Sequence, residues 1–73
     1  MAKRQSSSAT PPPIREHDIV ELIAPMPSEG LRTGVSGTVV HIYRNGEAYE
    51  VEFIEPAGSK VVTLSSAQVK PAQ

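Results

Sequence analysis

Four side chains near the middle of this 73-residue chain are of types that can do chemistry together: His41, Glu47, Glu50 and Glu52. A histidine and carboxylates can exchange protons, hold a metal or activate a nucleophile. Spacing decides whether they meet. They lie in two runs rich in β-branched and aromatic residues, 37–43 and 47–53, separated by Asn45-Gly46. An Asn-Gly pair between such runs predicts a β-hairpin with a two-residue type I′ turn. In that register Arg44 faces Glu47, Tyr43 faces Ala48, Ile42 faces Tyr49 and His41 faces Glu50. Further out, Val40 faces Val51, Val39 faces Glu52 and Thr38 faces Phe53. Side chains alternate between the faces of a strand. Val40, Ile42, Tyr49, Val51 and Phe53 are therefore expected inside, and Val39, His41, Glu50 and Glu52 outside. A His41–Glu50 cross-strand pair is worth about 0.2–1 kcal/mol. It reads as part of a solvated face that also discourages edge aggregation. Two ligands of mixed hardness do not make a metal cage. No catalytic residue, no metal site and no cofactor is expected.

The remaining candidates are also weak. His17 stands alone before the first strand and reads as a solvated loop residue. Tyr43 and Tyr49 do not make an aromatic peptide groove, because the register points them to opposite faces. There is no Trp, and Phe53 is the single Phe. No helix is available to follow a glycine-rich phosphate loop.

Several elements must position these groups. Residues 1–13 read as a disordered Ser/Pro-rich tail, with Pro11-Pro12-Pro13 as a stiff spacer or docking segment. The folding body is then 14–73. A body of roughly 60 residues buries only about 60% of its unfolded surface and is marginal alone. There is no cysteine, so no disulfide or zinc–thiolate staple. Barrel closure or self-association is the expected compensation. No apolar run approaches the ~20 residues of a membrane helix, and no signal-peptide core follows Lys3-Arg4. A cytoplasmic setting without membrane contact is expected.

All eight acidic residues lie from Glu16 onward, against five basic ones in the body 14–73: Arg15, Arg32, Arg44, Lys60 and Lys70. A body near −3 is a poor phosphate binder, so nucleic acid is not an expected partner.

The first strand is read from Asp18-Ile19-Val20-Glu21-Leu22-Ile23. A long loop follows over 24–34, with two prolines and two glycines. Long loops are where binding tends to sit. Met26, Glu29, Leu31 and Arg32 are its candidate partner-contact residues, with Met26 and Leu31 also expected to fold back over one end of the body. Gly37 is read as a bulge or a bend at a corner. After Phe53 a turn at Pro56-Ala57-Gly58-Ser59 leads to a strand at Lys60-Val61-Val62-Thr63-Leu64, paired back on the preceding strand. Ser65 or Ser66 caps one 3-10 turn before a short last strand, Val69-Lys70, ended by Pro71. Five short strands without an α-helix predict an all-β, small, strongly bent barrel.

This order is similar to that of SH3-like barrels. Asp18-Ile19-Val20-Glu21-Leu22, Gly30-Leu31-Arg32-Thr33-Gly34, Gly37-Thr38-Val39-Val40, Ala48-Tyr49-Glu50-Val51-Glu52-Phe53 and Leu64…Gln68-Val69-Lys70-Pro71 resemble a bacterial family of SH3-like proteins, domain of unknown function 4926. The family has no assigned activity, so the resemblance implies the fold and leaves function open. A weaker resemblance, in layout, is to the plasmid-borne type II dihydrofolate reductases, through 37–43, 48–52 and 56–69. Those SH3-like chains form homotetramers around a pore that binds NADPH and dihydrofolate. They line it with Val-Gln-Ile-Tyr and a lysine near the first strand. Here the stretch is Val61-Val62-Thr63-Leu64, and no lysine lies between Lys3 and Lys60. The resemblance therefore implies an oligomer or pore strand at Val62, Thr63 and Leu64 and no catalytic residue.

Three functional readings stand at this point. A non-enzymatic interaction module, with a protein partner or self-association, is preferred. A pore-forming homotetramer binding a cofactor-like ligand and a nucleic-acid-associated module are the alternatives.

Overall fold

The computed structural model describes residues 14–72; the tail expected over 1–13 lies outside them. Five strands follow one another: β1 (Ile19–Leu22), β2 (Ser36–Ile42), β3 (Ala48–Glu55), β4 (Gly58–Ser65) and β5 (Val69–Pro71). All pair antiparallel in a single sheet of order β4-β3-β2-β1-β5. One 3-10 turn, Ser66–Gln68, precedes the last strand, and the Gln68 side chain accepts from the N–H of Ser65 at 2.8 Å. This is the all-β architecture expected from the sequence.

Every strand sends side chains into one core. Val20 and Leu22 come from β1, Val39 from β2, Tyr49, Val51 and Phe53 from β3, Val62 and Leu64 from β4, and Val69 from β5. A flat sheet could not gather residues from both of its edges, so the sheet must curl around them. Leu31 closes one end from the long loop, with Met26 packed beside it.

Two expectations about the central hairpin are corrected. Its register holds next to the turn, with Ile42 opposite Tyr49 and His41 opposite Glu50. It then slips: Val39 faces Val51 and Thr38 faces Glu52, with Val40 left over as a β-bulge. The extra residue exchanges the two valines, so Val39 is 0% exposed and Val40 38%. Ile42 is only half-buried. The turn also differs. Arg44–Gly46 forms a 3-10 turn, closed by the N–H of Tyr43 on the carbonyl of Ala48 at 2.9 Å. Gly46 keeps the left-handed conformation expected of it, at φ 70°.

The bulge has a use. A bulge bends its strand and increases its twist. Beyond it, β2 passes from β3 to β1, with Gly37 opposite Val20. Gly37 is buried, and a Cβ there would lie 2.6 Å from Val51 Cγ1 and 2.9 Å from the Glu52 carbonyl oxygen. Only glycine lets β2 cross so close over β3.

Candidate interaction surface

The outward side chains of the sheet form rows set by the two registers. His41, Glu50 and Thr63 make one row across β2, β3 and β4; Thr38, Glu52 and Val61 make the next. Tyr43 sits diagonally from Glu50. Its hydroxyl donates to Glu50 Oε2, and Thr63 Oγ1 lies 3.0 and 2.9 Å from the two carboxylate oxygens. His41 meets Tyr43 edge to face, with ring centroids 4.8 Å apart. The Tyr43 and Thr63 hydroxyls hold the Glu50 carboxyl below its usual range, aided by the charge field of His41. The same Glu50 bond holds the Tyr43 phenol proton above its usual value. The carboxylate accepts from two hydroxyls on an open face, which makes a satisfied surface network. Among the described residues no group of three His, Cys, Asp or Glu side chains gathers as a metal site.

His41 and Glu50 are paired as the sequence predicts, whereas the roles of Tyr43 and Thr63 were not foreseen. Finding them needs the diagonal position of Tyr43 and the register of the second hairpin. The signal for the latter is Pro56-Ala57 as a two-residue turn, with Glu55 opposite Gly58.

The long loop is clasped by its own short bridge. The Met26 N–H donates to the Leu31 carbonyl at 2.9 Å and the Leu31 N–H returns to Met26 at 3.1 Å. A 3-10 turn at Pro27–Glu29 forms the tip. Met26 and Leu31 thus anchor the loop to the core, while Arg32 is exposed. Lys60 of β4 fastens the tip: its Nζ donates to the Glu29 carbonyl at 2.6 Å and lies 3.7 Å from both the Glu29 and Glu55 carboxylates. On β4, Val62 and Leu64 face the core and Thr63 faces out.

The two sheet edges are unequal. β5 has three residues, including Lys70 and Pro71. β4 has eight, paired to β3 without a break from Glu55–Gly58 to Ala48–Ser65. In a two-residue hairpin the flanking pair is hydrogen-bonded and the pattern then alternates. Gly58, Lys60, Val62 and Leu64 therefore bond to β3. The Ser66 N–H on the Glu47 carbonyl, at 3.1 Å, continues that alternation. Ser59, Val61, Thr63 and Ser65 turn their backbone groups to the far side. The Ser65 N–H is taken by Gln68. Among the described residues no other backbone reaches that side of β4. Beside it lie the two most exposed large apolar side chains, Ile54 at 78% and Val61 at 54%.

The curled five-stranded antiparallel sheet with a 3-10 turn before its last strand defines a small SH3-like barrel. The chain belongs to the family described as a domain of unknown function, DUF4926, which it matches over residues 16–71. No curated protein and no solved structure matches it. Among the described residues no helix is long and apolar enough to cross a membrane.

Proposed function

We propose that this chain is a non-enzymatic protein-interaction module whose partner adds a strand to β4. The observation that carries this is the eight-residue edge with outward backbone groups and an apolar flank at Val61 and Ile54. Edge strands are usually guarded by a lysine, a proline or a bulge. β4 has no proline and no bulge; its one charged residue, Lys60, is a guard on the core face, tied to Glu29 and Glu55, and the outer face of Ser59, Val61, Thr63 and Ser65 carries no charge. Strand addition obtains affinity from main-chain hydrogen bonds and specificity from alternate side chains. The loop tip at Glu29, tied to Lys60, supplies the rim, and Arg32 is exposed on the same loop. The setting in this reading is the bacterial cytoplasm, where a cysteine-free domain depends on no disulfide.

A photo-cross-linking residue in place of Val61, in cells, tests the reading. Covalent protein adducts from position 61, and none from the same residue in place of Glu16, are expected. Absence of any protein adduct at 61 would overturn it.

A further inference from the structure

The free edge of β4 is complementary to itself, and we infer that two copies of this chain pair there, β4 against β4, about a two-fold axis beside Val62. The inference rests on the reading of β4 as the interaction surface and names the partner.

The register follows from which groups are free and from where Lys60 falls. Val61 and Thr63 turn both N–H and C=O outward, whereas Ser65 has given its N–H to Gln68. Two two-fold registers use all four groups: Val61 opposite Thr63 of the other copy, or Val61 opposite its own copy with Thr63 against Ser59. The second brings the two Lys60 residues within two positions, about 7 Å along the strands, so charge selects the first. The first makes four main-chain hydrogen bonds and sets Val62 opposite its own copy. On the outer face it places a β-branched pair, Val61 and Thr63, on each side of the axis. Such pairs contribute in cross-strand contact.

Charge permits the pairing. The outward residues of β4 are Ser59, Val61, Thr63 and Ser65, all uncharged. In this register the two Lys60 residues are four positions apart along the strands, about 14 Å. The Glu50 carboxylates are separated by three inter-strand spacings, again about 14 Å and beyond the ~8 Å screening length of physiological salt. An arbitrary partner strand meets no such guarantee.

The other edge decides the geometry of assembly. A β4–β5 contact between copies would be head-to-tail and would build rings or open fibres. β5 blocks this by its three-residue length and by Lys70 and Pro71. Only the β4–β4 contact remains, and it closes as a dimer. Pairing also extends a core that is marginal for a domain of this size.

Sedimentation velocity over a concentration series from micromolar to millimolar, on the full chain, tests the inference. The wild type should shift reversibly toward twice the chain mass. V61K places a lysine opposite Glu52 on the neighbouring strand, so it should fold normally by circular dichroism and lose at least tenfold in dimer affinity. T63K, beside Glu50, should do the same and serves independently should V61K misfold. V40K, exposed on the same face two strands in, should dimerise like the wild type. A wild type that stays monomeric to millimolar concentration overturns self-pairing. If position 61 still cross-links to another protein, only the identity of the partner has failed; if it cross-links to nothing, the interaction reading fails with it. Dimerisation unchanged in both lysine variants, or abolished by V40K, also overturns the inference, since the contact then lies off the β4 edge.

Discussion

The two hairpins that share β3 are built on opposite plans. The β2–β3 hairpin turns through a 3-10 segment, carries a bulge at Val40 and passes its far strand to β1 at Gly37. The β3–β4 hairpin turns through two residues and keeps one register across eight pairs. The first therefore curls the sheet into a barrel. The second runs regularly and ends in a long open edge. Both hairpins send side chains into the core, but the irregular one closes the sheet around it and the regular one leaves the open edge. Closure of the sheet and the edge proposed to take a partner thus lie on different sides of one strand.

The sharpest way to break this division is Gly37→Ala. The new methyl group would meet the Glu52 carbonyl oxygen at 2.9 Å as well as the Val51 and Phe53 side chains. Side chains can rotate away, but a sheet carbonyl cannot. Overpacking of this kind costs on the order of 1–3 kcal/mol and more where backbone must move. The urea midpoint should fall further than for any other substitution named here, to near unfolding for so small a core. A silent Gly37→Ala would mean that β2 does not cross β3 as closely as described.

Gly46→Val comes next. Nothing lies within 4 Å of a Cβ at this position, so the whole effect is the backbone strain of a β-branched residue at φ 70°. About 1–3 kcal/mol is expected, a fall of several degrees or more in Tm for a domain of this length. Dimerisation of the remaining folded protein should be unchanged, because the turn joins β2 to β3 and lies off the β4 edge. Loss of dimer affinity in Gly46→Val would erase the distinction between the two hairpins.

The smallest effect is expected where the two hairpins touch. Glu50 accepts from Tyr43 of one and Thr63 of the other, and its carboxyl is held below its usual range. A group with a lowered folded pKa stabilises above its unfolded value, about 4.3 for Glu, and loses that contribution as pH falls through the folded one. Glu50→Gln should therefore be slightly less stable than the wild type at pH 7, with the gap closing as the pH falls below about 4. Urea melts at pH 7, 5 and 3 read this directly. A gap that widens in acid would contradict the assignment of the two hydroxyl donors.

What the sequence made legible follows the same division. Period-two alternation and two turn signals were enough for five strands and the 3-10 turn, since each depends on local chemistry. The Ile42–Tyr49 and His41–Glu50 pairs were legible because they lie close to the turn. The Val39/Val40 exchange was not, because strict alternation fits Val40 and Ile42 together and gives no sign of an extra residue. The bulge is dictated by closure of β2 onto β1, a contact between distant segments. The Glu50 network was missed for a related reason: Thr63 enters it through the register of the second hairpin. The open edge of β4 was beyond sequence reading altogether, since an edge is a property of strand order.

Native-state hydrogen exchange of the β4 amides tests the central claim most directly. At low micromolar concentration the amides of Ser59, Val61 and Thr63 should exchange quickly, while those of Lys60, Val62 and Leu64, bonded to β3, exchange slowly. Raising the concentration should protect Val61 and Thr63 selectively and leave the second set unchanged. Val61 and Thr63 amides already protected at the lowest concentration, to the same degree as Val62 and Leu64, would show that the edge is covered within the chain and would contradict the account.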